Sequence, residues 1–350
     1  MLEYRMAAAG AECRWESRVI RLELRHPWTT ALSTSGYRQT MVVQMTRDGV
    51  TGIGEGVPIS RYKESPREAV QAIDAIRPWL ERIDPWQFRK VMAGVSERMP
   101  GQFAAKAAID VAMLDWVGKQ AGVPVYRIFG LDPDDAPVTS FSIGVDEPGP
   151  TRQKVLEAEA FPILKLKMGL TSDEMTMAAV RDVTQKRVRV DANEGWNTRE
   201  VALQKLRWLE SQRVEFVEQP LPAEMIEATR WVRARVHLPI FADEAAISAE
   251  SIPGLVGAYD GVNIKIDKCG GLQEALRMIH VAKTLGLKTM LGCMVASSVN
   301  ITAAAHLSPL VDYADLDGNL LVTNDPYRGV TVDRGKLVLP REPGLGVTPA

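Results

Sequence analysis

Cysteine is scarce in this chain: Cys13, Cys269 and Cys293 are the only three in 350 residues, and no two form a CxxC pair. An odd count without that spacing excludes a disulfide framework or a structural zinc site and points to a reducing compartment. Neither sign of charge predominates. Forty-two basic residues against forty-four acidic ones leave a net charge of -2 with no long like-charge run, so the electrostatic footprint of a nucleic-acid or anionic-membrane binder is missing. Apolar stretches of membrane-spanning length are also lacking. Residues 1–13 carry Glu3, Arg5 and Glu12 in place of the apolar run of a signal peptide, and the expected address is the cytoplasm. No glycine-rich phosphate turn follows a first strand, which argues against an open dinucleotide-binding sheet. What the chain does have is 46% hydrophobic and 25% charged residues, the balance of an ordinary globular protein. Its length suits roughly two domains, or one barrel with an appendage, and its partner is expected to be a small molecule. Assembly into a homo-oligomer is left open.

The organising stretch is residues 163–169, ILKLKMG. Two lysines two apart on a strand, Lys165 and Lys167, share one face. Alone, that pattern also describes a solvated edge strand guarded by lysine. Further apolar runs ending in charge follow it, carrying Asp191, Glu218, Asp243 and Lys265 at successive intervals of 26, 27, 25 and 22 residues. That is the pitch of strand, loop and helix repeated. Strand-like runs stand at 138–143, 163–168, 187–190, 214–217, 240–242, 262–266 and 288–291, with a weaker one at 313–316. Eight runs predict a closed parallel barrel, whose carboxyl-terminal strand ends converge on one mouth.

Ahead of the barrel the texture differs. Residues 19–24 and 40–45 read as strands separated by a Thr- and Ser-rich loop at 26–36, and Asp48-Gly49 turns the chain back into 50–55. After a second loop at 56–63, helical periodicity runs from 68 to 80 and again from 103 to 120, where Gly122 and Pro124 stop it. The expected division is an α+β capping domain over residues 1–135, completed by the terminal segment 326–350, and a barrel over 136–325. The segment 329–339 reads as strand, and the tail at 343–346 is expected to run back to the first domain.

Three carboxylates from successive strand ends, Asp191, Glu218 and Asp243, are hard oxygen donors with no His or Cys beside them, a set that suits Mg²⁺. Singly, each also reads as an acid paired with a lysine; together, three buried carboxylates repel one another unless a cation sits among them. Lys167 and Lys265 would flank that cation from opposite sides of the mouth, an arrangement for removing and returning a proton. Lys165 would tune Lys167 by its charge.

The set KxK, DAN, EQP, ADEA and NIKIDKCGG, with Ala107-Ala108-Ile109-Asp110 before the barrel, resembles the enolase superfamily in its muconate-cycloisomerase-like subgroup. The resemblance implies a modified TIM barrel, (β/α)7β, under an α+β cap, with Mg²⁺ held by Asp191, Glu218 and Asp243, Lys167 and Lys265 as the acid/base pair that forms and reprotonates an enediolate, and Lys165, the third catalytic lysine, as the tuner of Lys167. The mandelate-racemase-like subgroup places a His at the seventh strand end, where this chain has Cys293-Met294. His26, His237, His280 and His306 are all expected in loops or helices.

Asp315 and Asp317, in ADLDG, stand on one side of the last strand. They read as a solvated turn or, by resemblance, as the DxD pair with which dipeptide epimerases receive the ammonium group of an L-Xaa-L-Xaa substrate. The resemblance thus implies epimerisation of the C-terminal residue of a dipeptide, as in murein peptide metabolism. Ser142, Asn193 and Met294 join the expected substrate-binding set, with Ser33, Trp28 and Tyr62 from the two loops of the cap; for the two aromatics, packing within the cap is the other reading. Two features depart from the family. Ala296 stands where relatives carry Glu, which leaves one pocket wall undefined, and Ser33 stands where glutamate-specific members carry Arg, so uncharged side chains are the expected preference. Other activities of the same subgroup, such as N-acylamino acid racemase, o-succinylbenzoate synthase or cycloisomerase, and a non-catalytic binding protein, are the competing readings; the first group would not need Asp315 and Asp317.

Overall fold

A computed structural model describes residues 12–31 and 33–350. The amino-terminal stretch read above for a targeting signal lies, up to residue 11, outside them. The described chain opens on an antiparallel sheet of three strands, β1 (Arg14–Thr29), β2 (Thr34–Arg47) and β3 (Val50–Gly56). The expected loop at 26–36 is much shorter than read: β1 runs on to Thr29 after a register irregularity between Glu23 and Trp28, and β2 resumes at Thr34. His26 consequently sits on a strand, not in a loop. The Pro27-Trp28 step masked this extension, because a proline inside an apolar run reads as a stop.

Three helices cover one face of the sheet. The first, α1 (Pro66–Leu80), starts where Ser65 accepts the backbone N–H of Glu68, with proline at the first helical position. The second, α2 (Phe88–Arg98), has only Val91 and Val95 buried, and five charged or polar neighbours hid it from the sequence reading. The third, α3 (Phe103–Ala121), is buried on every side from Ala104 to Gly118, with Lys106, Asp110 and Asp115 among mostly small and apolar residues. It can lie against β3 because every second residue there is glycine. A Cβ on Gly52, Gly54 or Gly56 would strike the backbone carbonyl of Ala112, Ala108 or Ala104 respectively, so the strand's two-residue period matches the four-residue period of the helix.

The barrel follows in chain order: β4 (Phe141–Ile143), β5 (Ile163–Lys167), β6 (Arg187–Asp191), β7 (Val214–Glu218), β8 (Ile240–Ala242), β9 (Gly261–Ile264), β10 (Lys288–Gly292) and β11 (Tyr313–Asp315). All seven pairings are parallel, and a bridge between Thr139 and Ala314 brings the last strand round to the first. This settles the choice against an open doubly wound sheet and agrees with the (β/α)7β expectation. Among the described residues the connection from β8 to β9 holds only one helical element, the 3-10 turn Ile252–Leu255, and the only helical element after β11 is another such turn, Gly318–Leu321. Phe216 and Phe241 stack at 4.3 Å with Met290 and Tyr313 against them, forming a separate apolar cluster within the barrel. A packed interior of this kind leaves polar chemistry to the strand ends.

The segment 329–339 is two strands, not one: Thr331–Asp333 pairs with Lys336–Val338 around Arg334-Gly335, both at positive φ, the backbone a two-residue hairpin demands. Beyond it the tail docks on α3 and the residues after it. Gly344 exchanges backbone hydrogen bonds with Val123 and Val125 at 3.0 and 2.9 Å, and Asp115 accepts from the N–H of Leu345 at 2.7 Å. His306 accepts from the N–H of Tyr126 and donates to the carbonyl of Leu345, and burial lowers its pKa to about 4. It is a neutral structural clasp. Among the described residues no helix is long and apolar enough to cross a membrane.

Candidate active site

The parallel strands end in acids and lysines on the same face of the barrel, because register pairs Lys167 with Asp191 and Asp191 with Glu218. Asp191, Glu218 and Asp243 are buried with one carboxylate oxygen each inside a span of 4.8 Å. Lys167 donates to Asp191 at 2.6 Å from one side, and Lys265, immediately after β9, donates to Asp243 at 2.7 Å from the other. Lys165 lies behind them. Fully buried, its ammonium meets Asp315 at 2.7 Å, Glu218 at 2.8 Å and Asp191 at 3.3 Å. It does not reach the cavity, so it acts as a tie among the carboxylates and not as a group in contact with the reacting atoms.

Asp315 and Asp317 are held from the opposite edge of the closed barrel. The hydroxyl of Ser140 donates to Asp315 at 2.7 Å, and the backbone N–H of Ser142 donates to Asp317 at 2.6 Å, with the Ser142 hydroxyl 3.3 to 3.4 Å from both acids. Neither is a solvated turn residue. Six carboxylates here, counting Glu244, face four lysines, counting Lys268, which donates to Asp243 and to the carbonyl of Asn263. Acids therefore outnumber lysines in the cluster.

That surplus shapes the electrostatics. Burial pushes Glu218 up to about 7, with Asp191 adding to the effect against Lys165; burial and then Asp243 push Glu244 up to about 8. Burial and then Asp315 raise Asp317 to about 7. Burial works in the same direction on Asp191, Asp243 and Asp315, yet their lysines outweigh it and hold all three below the ordinary range, Asp315 at about 2. Burial opposes the charge on Lys165 and Lys265, but the surrounding acids overcome it and raise both. Buried oxygens of the site without a hydrogen-bond partner among the described residues include Oδ1 of Asn193 and Oε2 of Glu244. Asn193 sits at positive φ beside the cluster, as do Glu194 and Gln219, strain of the sort stored at functional sites.

A cavity of about 380 Å³ opens over this cluster. Of the residues singled out from sequence, Trp28, Ser33, Tyr62, Ser142, Lys167, Asn193, Lys265, Met294, Asp315 and Asp317 all line it, with Asp243 at its floor. Asp191 and Glu218 lie beneath that floor. The cap supplies the roof: Trp28 from β1, with its ring centroid 6.0 Å from the Lys167 ammonium, and the turn Ser60–Tyr62, pinned by a bidentate pair from Arg61 to Glu194 at 2.8 Å. Ala296 does not line the cavity; it is fully buried in the barrel core, so it does not shape that wall.

Several members of the site escaped the sequence reading. Gln219 accepts the N–H groups of Asp243 and Ala245 and donates to the hydroxyl of Tyr259, fixing the loop that carries Asp243. Asn263 donates to Glu218 at 2.7 Å. Glu244, Lys268 and Arg38, the last on the cavity wall, complete the set. Gln219 and Glu244 adjoin residues already chosen, so strand-end adjacency was the available signal. Arg38 offered none.

The comparisons agree with this architecture. Residues 16–130 match the "Mandelate racemase / muconate lactonizing enzyme, N-terminal domain" family, and residues 151–350 match "Enolase C-terminal domain-like". The chain is 46% identical over 327 residues to an L-Ala-D/L-amino acid epimerase of Pedosphaera parvula, covering 90% of this chain and 93% of the relative. It is 39% identical over 333 residues to an L-Ala-D/L-Glu epimerase of Bacteroides thetaiotaomicron, covering 93% and 85%. The structure of a dipeptide epimerase from Enterococcus faecalis, complexed with Mg and L-Leu-L-Tyr, superposes with a TM-score of 0.91 at 30% identity over 97% of this chain and all of that one.

Proposed function

The chain belongs to the enolase superfamily, and from that premise we propose that it is a Mg²⁺-dependent dipeptide epimerase, inverting the C-terminal residue of L-Xaa-L-Xaa dipeptides by 1,1-proton transfer. The observation that carries this reading is the pairing of Lys167 and Lys265 with different acids of one buried triad, from opposite walls of a cavity that Asp315 and Asp317 close on a third side. The donor set fits the metal. Three buried carboxylates are hard oxygen ligands, and partnerless oxygens on Asn193 and Glu244 stand alongside. Held by Asp191, Glu218 and Asp243, Mg²⁺ would supply a Lewis acid that draws charge from the substrate carboxylate and acidifies its α-proton.

The remaining work falls to the chain itself. One lysine takes the α-proton from its face of the substrate, and the other returns a proton on the opposite face. Asp315 and Asp317 receive the free ammonium, a need that an N-acylated or cyclic substrate lacks. Trp28 and the Arg61-anchored turn exclude water above the reacting carbon. On this reading the setting is the cytoplasm, in keeping with three free cysteines of which two are buried, and the reaction serves the recycling of murein peptides. The capping unit is residues 1–135 with 326–350, a division supported by the docking of the tail on α3.

Proton NMR in D₂O with a panel of L-Ala-L-Xaa dipeptides tests the proposal. The C-terminal α-proton should wash out with Mg²⁺ present and persist in EDTA. Absence of exchange for every dipeptide would sink it.

A further inference from the structure

Four cationic side chains line the cavity: Lys167, Lys265, Arg61 and Arg38. The first three are paired with Asp191, Asp243 and Glu194. Arg38 has no ion pair and no hydrogen bond to its guanidinium among the described residues. Its direction follows from the sheet. Arg38 stands directly opposite Leu22 in the β1–β2 register, and residues so paired project from the same face. Leu22 is buried against Val295 and Val322 of the barrel side, so this face looks down on the mouth. Arg38 therefore lines the cavity from the face on which Leu22 packs against Val295, Val322 and Leu321. Burial pulls its pKa down, with no neighbouring charge to offset it.

A guanidinium drawn partly out of water without a counter-ion is costly in the free protein, and a bound carboxylate relieves that cost. We infer that Arg38 is the specificity-determining residue that receives a carboxylate on a substrate side chain, so that acidic dipeptides are substrates. The inference rests on the dipeptide reading above and supplies its side-chain class. Ser33, exposed at the rim, does lack the cation expected there from glutamate-specific relatives; the cation comes instead from β2. The inference competes with the preference for uncharged side chains expected from Ser33, Trp28, Tyr62 and Ala296, and the experiment below decides between the two. The planar fork matters, since two parallel N–H donors fit a carboxylate as a lysine ammonium does not. The carboxylate could belong to either residue of the dipeptide, and the test separates the two positions.

The experiment compares wild type, Arg38→Met and Arg38→Lys with L-Ala-L-Glu, L-Glu-L-Ala and L-Ala-L-Leu, reading both D₂O exchange and calorimetric binding in Mg²⁺. Arg38→Met should lose tenfold or more in kcat/KM and in affinity for whichever glutamyl dipeptide Arg38 serves, with L-Ala-L-Leu changed by less than about threefold, and Arg38→Lys should recover part of the loss. Equal loss on all three dipeptides, or no loss on either glutamyl one, overturns the assignment. So does a wild-type enzyme that turns over L-Ala-L-Leu while neither binding nor exchanging the acidic pair; the epimerase reading then stands. Conversely, Arg38-dependent binding of a glutamyl dipeptide without exchange of any dipeptide supports Arg38 and refutes the epimerase reading.

Discussion

Two buried acidic regions of this molecule, one containing Lys265 and the other Asp267 two residues on, differ in kind. At the barrel mouth, Asp191, Asp243 and Asp315 are matched to lysines that hold them ionised, and oxygens of Asn193 and Glu244 are left over. At the junction between β3 and the barrel, Glu55 and Asp267 are equally buried but have no lysine. Glu55 accepts from the N–H and hydroxyl of Ser297 and the N–H of Asn300, and Asp267 accepts from the N–H of Val57 at 2.7 Å and the amide of Asn300 at 3.1 Å. Burial raises both, Asp267 to about 7. A carboxylate can thus be kept inside a protein by neutral donors, as at this junction, or by cations, as at the mouth. Burial of an acid alone does not distinguish them; the partners do.

The sharpest way to break the comparison is at the mouth. Replacing Lys265 by Ala should lower epimerisation by about 10²- to 10⁴-fold, the range for loss of a positioned acid or base. Exchange of the α-proton should persist for the epimer that faces Lys167. Equal loss of exchange for both epimers, measured by NMR in D₂O, would count against two opposed bases.

At the junction the expected change is in stability. Asp267→Ala strands the N–H of Val57 and the amide of Asn300, and a buried unsatisfied donor costs about 1–3 kcal/mol. The denaturant midpoint should fall accordingly, with kcat per folded molecule held within about threefold. A hundredfold loss of kcat would mean that the joint belongs to the chemistry.

The smallest effect is a pH trend at the junction. Asp267 has a folded pKa above its ordinary value, so the folded state holds a proton that the unfolded chain releases. Its contribution is full below the ordinary aspartate range and is lost as pH rises through about 7. Asp267→Asn keeps an acceptor for Val57 without that proton. Its melting temperature relative to wild type should therefore climb between pH 5 and pH 8; a flat or falling difference would show that Asp267 is ionised in the fold.

Some of this was decided by sequence alone. The lysines at 165 and 167 had to share a face because a strand repeats every two residues, and charged residues spaced 22 to 27 residues apart had to recur on successive strand ends once each unit was a strand, loop and helix. These are local rules, and they brought the barrel, the acid triad and the opposed lysines within reach. Other features depended on contacts between distant segments. Whether Lys165 touches substrate or only ties carboxylates together turned on Asp315, 150 residues away. Ala296 proved to be core and not pocket wall because the helix after it, Ser298–Ala305, is buried on every side. Arg38 carries no motif; only its register against Leu22, and the packing of Leu22 on Val295, aims it at the mouth. Periodicity tells which face of an element a side chain leaves from, and only the packed fold determines what that face meets.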